Sequence, residues 1–380
     1  MADSPTLKTD PEDRHRTKPL TLGEQPVEAQ PQTRRAWYNP RGWSLRTKII
    51  AAIVALAVII GTIVGAVEGS KAGRYPEYSP LNYRLVDSYS GLSFFDQFRY
   101  FDEEDPTEGF VNYVNKSTAQ RLNLTYASPT SAILRVDTAT KNASHGRNSV
   151  RIESLRTYDD GLFIFDIIHT PYGCGTWPAL WLTDGYNWPD NGEIDVLEVT
   201  NNGTDGNAVT LHTTPQCNMD VRRKQTGSVT YTTCDNNTNS NAGCGVKGPS
   251  MTYGEAMNER GGGIYALELR PAGIRAWFFP RHSVPLDIDL SNSSSKPDPS
   301  NWGTALADFP NTSCDISSHF KNQSIVANID LCGQWGGAPN VYSGEWDCPG
   351  KCEEFVARNP ERFVKAYWEF GGFGVYQAGV

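Results

Sequence analysis

Methionine (4 residues) and histidine (6) are scarce in this 380-residue chain, and no cysteine occurs before position 174. The histidines are scattered, without the short spacings that gather imidazoles around an ion, so neither a metal site nor a cofactor is expected. G-x-S-x-G, H-E-x-x-H and the Walker A loop are all missing, which removes the chemistries those motifs carry. Positive charge is also short: 34 Lys/Arg stand against 43 Asp/Glu, a net charge of −9. No basic stripe carries interleaved aromatics, so nucleic acid is not a partner. The one glycine run, Gly261-Gly262-Gly263, precedes an alternating strand pattern from Ile264 to Leu269 and reads as a turn, not a phosphate cradle. Capped amphipathic helices of useful length are absent too.

Long apolar runs are absent with one exception. Residues Ile49 to Val67 carry no charge and match a single bilayer crossing in length. The stretch before it, 1–48, is rich in Pro, Thr, Gln and charge and reads as a disordered tail. Arg34, Arg35, Arg41, Arg46 and Lys48 crowd the N-terminal flank, whereas Lys71 and Arg74 are the nearest positives beyond the run. Positive charge stays inside, so the tail is expected in the cytosol. All eight N-x-S/T sequons (Asn115, Asn123, Asn142, Asn202, Asn236, Asn292, Asn311, Asn322) and all eight cysteines follow the run. Glycosylation and disulfides belong to the lumen or the exterior. The expectation is a single-pass type II membrane protein, partnered with the membrane through that helix; a cleaved signal peptide is the runner-up. A linker at 68–80 then leads to residues 81–380.

Up to four disulfides are plausible, and eight cysteines allow 105 pairings among which sequence does not choose. Residues 1–48 carry nine Lys/Arg against six Asp/Glu, and the remainder 25 against 37. An acidic ectodomain disfavours polyanionic substrates and suits a neutral polymer. Short alternating or apolar runs recur along it: Leu134 to Val136, Leu162 to Ile168, Val209 to Leu211, Ile264 to Leu269, Ile274 to Phe279, Ser324 to Leu331 and Phe363 to Phe370. Gly, Pro, Asn and Asp clusters separate them, a pattern of one all-β sandwich acting as a monomer.

One of the strand patterns carries three acids: Glu193-Ile194-Asp195-Val196-Leu197-Glu198. Alternation puts Glu193 and Asp195 on one face and Glu198 on the other. An extra residue, a bulge at Val196 or Leu197, returns Glu198 to the shared face. The two glutamates are then about 13 Å apart at Cα, and side chains leaning across Asp195 close most of that gap. Retaining glycosidases need carboxyls roughly 5–5.5 Å apart. A charged strand face is usually only a solvated surface. Here, however, Trp177, Trp181 and Trp188 lie just upstream, and aromatic rings are the usual floor for the apolar faces of sugars.

The Glu193–Glu198 motif resembles the catalytic motif of glycoside hydrolase family 16. The stretch from Cys174 to Glu198 is similar to its fungal laminarinase branch, the endo-1,3(4)-β-glucanases. Ser93 to Asp96, Asp105 to Phe110, Ser318 to Ser324, Asn328 to Cys332, Ala366 to Glu369 and Val375 to Gln377 resemble that branch as well. The resemblance implies a concanavalin-A-like jelly-roll β-sandwich with its cleft across one concave sheet. It implies Glu193 as nucleophile, Glu198 as general acid/base and Asp195 as the assisting aspartate. Trp181, Trp188 and Trp335 match subsite tryptophans, His212 a cleft histidine, and Trp177 stands in the same Trp-rich lead-in. The substrate implied is β-1,3- or mixed β-1,3/1,4-glucan, cleaved internally with retention. A membrane-anchored glucan transglycosylase is the alternative, and a non-catalytic glucan binder is disfavoured because both motif glutamates are present.

Overall fold

The computed structural model describes residues 40–72 and 75–379. The tail expected at 1–48 lies outside the described residues as far as 39. In its last part Pro40–Gly42 forms a 3-10 turn, and an α-helix runs from Leu45 to Ala72. The Ser44 hydroxyl accepts the Thr47 N–H at 3.3 Å, which caps the first turn ahead of the apolar run. Residues Leu45–Ala66 of this helix are long and apolar enough to cross a membrane.

The remainder is built from two eight-stranded antiparallel sheets. In the first, Ala307–Pro310, Gly273–Pro280, Gly263–Arg270, Gly161–His169, Tyr367–Ala378, Ala132–Arg135 and Thr125–Ala127 lie side by side, with Tyr83–Tyr89 also pairing Tyr367–Ala378. In the second the order is Ser228–Val229, Cys244–Lys247, Ala208–His212, Glu193–Glu198, Thr176–Thr183, Gln323–Leu331, Arg151–Tyr158, Phe98–Phe101. The sheets meet through one core: Leu180, Leu182, Ile194, Leu211, Ile325 and Ile329 on one side, Phe163, Phe165, Leu267, Phe370 and Phe373 on the other. This is the β-sandwich expected from the strand patterns, because each half-buried strand hides alternate residues against the opposite sheet.

Two expectations are corrected. The last strand begins at Tyr367, not Phe363; Pro360–Phe363 is a 3-10 turn, with Pro360 fixing the backbone at its start. The end of the expected linker is docked. The Tyr78 hydroxyl donates to Asp308 Oδ1 at 3.2 Å, Arg275 stacks 3.9 Å from the Tyr78 ring, and Lys224 lies 4.1 Å from the Tyr75 ring.

All eight cysteines pair: Cys174–Cys348, Cys217–Cys314, Cys234–Cys244 and Cys332–Cys352. None of the eight sequon asparagines is buried.

Candidate active site

The Glu193–Glu198 strand sits near the middle of the second sheet, between Thr176–Thr183 and Ala208–His212. Its register shows the bulge. Asp195 faces Trp181 and Thr210, but Glu198 faces Ala179 and Ala208, so Val196 and Leu197 together occupy one step. Both are fully buried in the core, and Glu198 is returned to the outer face with Glu193 and Asp195. At the strand's start, Gly192 turns with φ +72°, and a Cβ there would stand 2.4 Å from the His319 carbonyl oxygen. Only glycine fits that entry.

His212 pairs directly with Glu193, and its Nε2 lies 3.4 Å from Asp195 Oδ2. Its Nδ1 is 3.0 Å from Asn241 Oδ1. Glu193, Asp195 and His212 bring their polar atoms within 4.8 Å of one another. Burial alone would pull the imidazole down. The Asp195 hydrogen bond and the three carboxylates outweigh it and push His212 up to about 10, so the ring is cationic at neutral pH. Both glutamates move the other way from ordinary carboxylates. Burial, then the charge of Asp195, raises Glu193 to about 7, while His212 and a hydrogen bond from Trp188 hold it back. Glu198 is raised further, to about 8, by burial and Asp195; the Trp177 indole opposes the shift by donating Nε1–H to Glu198 Oε1 at 2.8 Å. The two glutamates titrate as a unit.

The tryptophans divide by role. Trp177 stands edge-on to Trp335 with centroids 5.7 Å apart, forming a wall beside Glu198. Trp335 and Trp188 are exposed. Trp181 is half-buried, donates its Nε1–H to Asn328 Oδ1 at 2.9 Å, and has the Arg151 guanidinium 4.9 Å from its ring. The loop carrying Trp188 is organised by Asp184, whose Oδ2 accepts from the amides of Asn187, Asn191 and Asn322 at 2.7–2.8 Å. Burial works against that carboxylate's charge, but these donors hold it below the usual range. All eight expected site residues therefore share one face of the sheet or the loops beside it.

Three neighbours were not singled out from sequence. Arg151 binds Glu153 through Nε at 2.9 Å and is sandwiched between Phe101 and Trp181. Asn328 and Asp330, two residues apart on the adjacent strand, face Ala179 and Trp177. Period-two spacing of polar residues inside Gln323–Leu331 was the available signal.

Residues 98–376 match the family described as XgeA-like, catalytic GH16 domain. A probable glycosidase of Schizosaccharomyces pombe is 46% identical over 308 residues, covering 80% of this chain and 71% of the relative. A probable endo-1,3(4)-β-glucanase of Aspergillus clavatus is 39% identical over 310 residues, 78% of this chain; the chain spans only 47% of that longer protein. Laminarinase 16A of Phanerochaete chrysosporium, solved with 6-O-glucosyl-laminaritriose in donor and acceptor sites, is 45% identical with a TM-score of 0.75, covering 78% of this chain and all of that one. An elongating family 16 β-1,3-glucosyltransferase is 39% identical with a TM-score of 0.71, again over 78% and 100%.

Proposed function

The chain belongs to glycoside hydrolase family 16, and from that premise we propose that it is an endo-acting, retaining hydrolase of β-1,3- or mixed β-1,3/1,4-glucan. The observation that carries this reading is the bulged strand, which sets Glu193, Asp195 and Glu198 on one face, with both glutamates raised by burial and by Asp195. In the first step Glu193 attacks the anomeric carbon as Glu198 gives its proton to the departing glycosidic oxygen. The glycosidic bond breaks and a glycosyl ester forms on Glu193. Glu198, now a carboxylate, takes a proton from water as that water displaces Glu193, restoring both groups and the original configuration. Asp195 orients Glu193, and cationic His212 lies against both of them. Trp181, Trp188 and the Trp177–Trp335 wall hold glucosyl rings by stacking.

A glycosyl-enzyme can be captured by a sugar instead of water. That second reading, transfer within a glucan, is supported by the glucosyltransferase among the similar structures and by the apolar helix. In this reading residues 1–48 are a cytosolic tail, 49–67 the membrane anchor, and 81–380 a lumenal or extracellular catalytic domain. Anchoring confines the enzyme to glucan near the membrane.

Product analysis on laminarin, lichenan and pustulan tests both readings: hydrolysis gives shorter reducing oligomers, transfer gives longer ones. Glu193→Gln and Glu198→Gln each remove turnover on polymeric glucan. On an activated aryl glycoside, azide rescues the Glu198 variant with retained configuration and gives the inverted azide with Glu193 lost to a small residue. Near-normal activity in Glu193→Gln refutes the nucleophile assignment.

A further inference from the structure

Thr107, in the loop before Gly109, holds its Oγ1 between two carboxylates: 2.5 Å from Asp105 Oδ2 and 3.0 Å from Asp330 Oδ2. A hydroxyl has one proton to give. Two ionised carboxylates at these distances would leave one of them against an oxygen lone pair, so one carboxyl must carry its own proton. Asp105 Oδ2 also accepts the backbone N–H groups of Thr107 at 3.0 Å and Gly109 at 2.9 Å, so that oxygen has no room for a proton of its own. Asp330 is 2% exposed, and its Oδ1 accepts the Leu331 N–H at 2.6 Å, which leaves Oδ2 as the atom for the proton.

The surroundings connect this proton to the cleft. A Cβ on Gly109 would stand 1.9 Å from Asp330 Oδ1, and one on Gly333 would stand 2.9 Å from both Asp330 Oδ2 and the Trp177 ring. Gln334 N–H donates to the Thr107 carbonyl at 2.9 Å, so the Thr107 loop grips the turn that carries Trp335. Asp330 also faces Trp177 across the strand pair, and Trp177 donates to Glu198. We propose that Asp330 is a positioning residue held as a neutral acid: its Oδ2–H donates to Thr107, Thr107 donates to Asp105, and this chain fixes the Trp177–Trp335 wall beside Glu198. The proposal rests on the glucanase reading for its consequence in substrate binding, but not for the proton itself.

The charged and titratable groups facing Asp330 are consistent. Burial and then Asp105 raise its carboxyl well above the usual range; the Leu331 N–H, the Thr107 hydroxyl and Arg151 pull the other way without prevailing. The Tyr113 phenol is raised by burial and then by Asp330, so it adds no charge at neutral pH. For an acid whose folded-state value is raised, the folded state binds the extra proton. The contribution of the Asp330 proton is full below the ordinary carboxylate range and is lost as pH rises through the raised value.

The test uses the full-length protein in detergent micelles. With laminarihexaose, the wild type is expected to show KM rising about three- to tenfold from pH 5 to the alkaline side, the worth of an aromatic contact. Asp330→Asn keeps a donor to Thr107 at every pH, so its KM stays flat while kcat keeps its alkaline fall. Persistence of the KM rise in Asp330→Asn overturns the proposal. If that variant does not fold, Thr107→Val and Thr107→Ser decide: the valine raises KM at every pH with kcat retained, the serine restores it, and equal kinetics for the two overturn the proposal. Near-ultraviolet circular dichroism of the tryptophans separates this outcome from failure of the glucanase reading. It is expected to change with alkaline pH in the wild type and not in Asp330→Asn, whether or not any glucan is cleaved. An identical change in both proteins refutes the latch.

Discussion

Trp177→Phe removes one proton donor and keeps an aromatic ring in place. The lost bond is Nε1–H to Glu198 Oε1 at 2.8 Å, the one side-chain contact that favours ionised Glu198 ahead of His212. A hydrogen bond to a charged acceptor contributes about 1.5–3 kcal/mol net. Part of that stabilisation survives by hydration, because Glu198 is only half-buried. At about 1.4 kcal/mol per pH unit, the remaining loss raises Glu198 by roughly one unit above its value near 8. The acid/base must be protonated for the first step, so the alkaline limb of kcat/KM moves upward by about that amount. The acid limb, dominated by Glu193, moves little. The assay is a kcat/KM profile on a laminari-oligosaccharide between pH 5 and 10. Trp181→Phe is the control: its indole donates to Asn328 instead, so it should leave the limb in place. An alkaline limb in Trp177→Phe that stays put or moves down refutes the assignment of Glu198 as the acid.

Losing His212 to Asn removes a cation that lowers Glu193, so the acid limb of kcat/KM shifts upward; an unmoved limb separates His212 from the carboxylate cluster. Trp188→Ala and Trp335→Ala each weaken oligosaccharide binding by about 1–2 kcal/mol with melting temperature held. Calorimetry showing intact affinity and a large fall in melting temperature would make these rings structural. In sealed microsomes, protease is expected to trim only a short N-terminal piece, leaving a protected fragment that shifts on endoglycosidase treatment. A mature chain beginning after residue 67 without proteolytic shedding would identify a cleaved signal instead.

The acid cluster was legible because strand alternation is strict: only a bulge reconciles three outward acids with the spacing from Glu193 to Glu198, and the register contains that bulge. His212 was legible only through the family resemblance, and its pairing with Glu193 gives it a partner. What escaped depends on contacts between distant segments. Trp177 reads as a stacking ring in sequence, yet its indole is spent on Glu198. The Asp105–Thr107–Asp330 chain joins residues more than two hundred positions apart, and the period-two spacing that marks Asp330 on its strand does not name its partners. Disulfide pairing was closed to sequence for the same reason: Cys174 and Cys348 meet only once the sheets are assembled. The docked Tyr78 was missed because a Pro- and Tyr-bearing connector looks solvated until its Arg275 and Asp308 partners are known.

The bulge also makes this catalytic pair depend on counting. A strand is read in a frame of two, and Val196 with Leu197 supplies the one-residue frameshift that brings Glu198 back to the outer face. Deleting Val196 alters no carboxylate and removes the bulge: Glu193-Ile194-Asp195-Leu197-Glu198 then alternates strictly, and the acid/base, now four residues after the nucleophile, still faces outward. Glu193, Asp195 and the tryptophan rings would keep their places. The product is the same three-acid face on a regular strand, without the extra buried residue Val196. Turnover retained in that deletion variant would show that the pair depends on the face from which it emerges and not on the bulge itself; lost turnover would show that the bulge also sets its spacing.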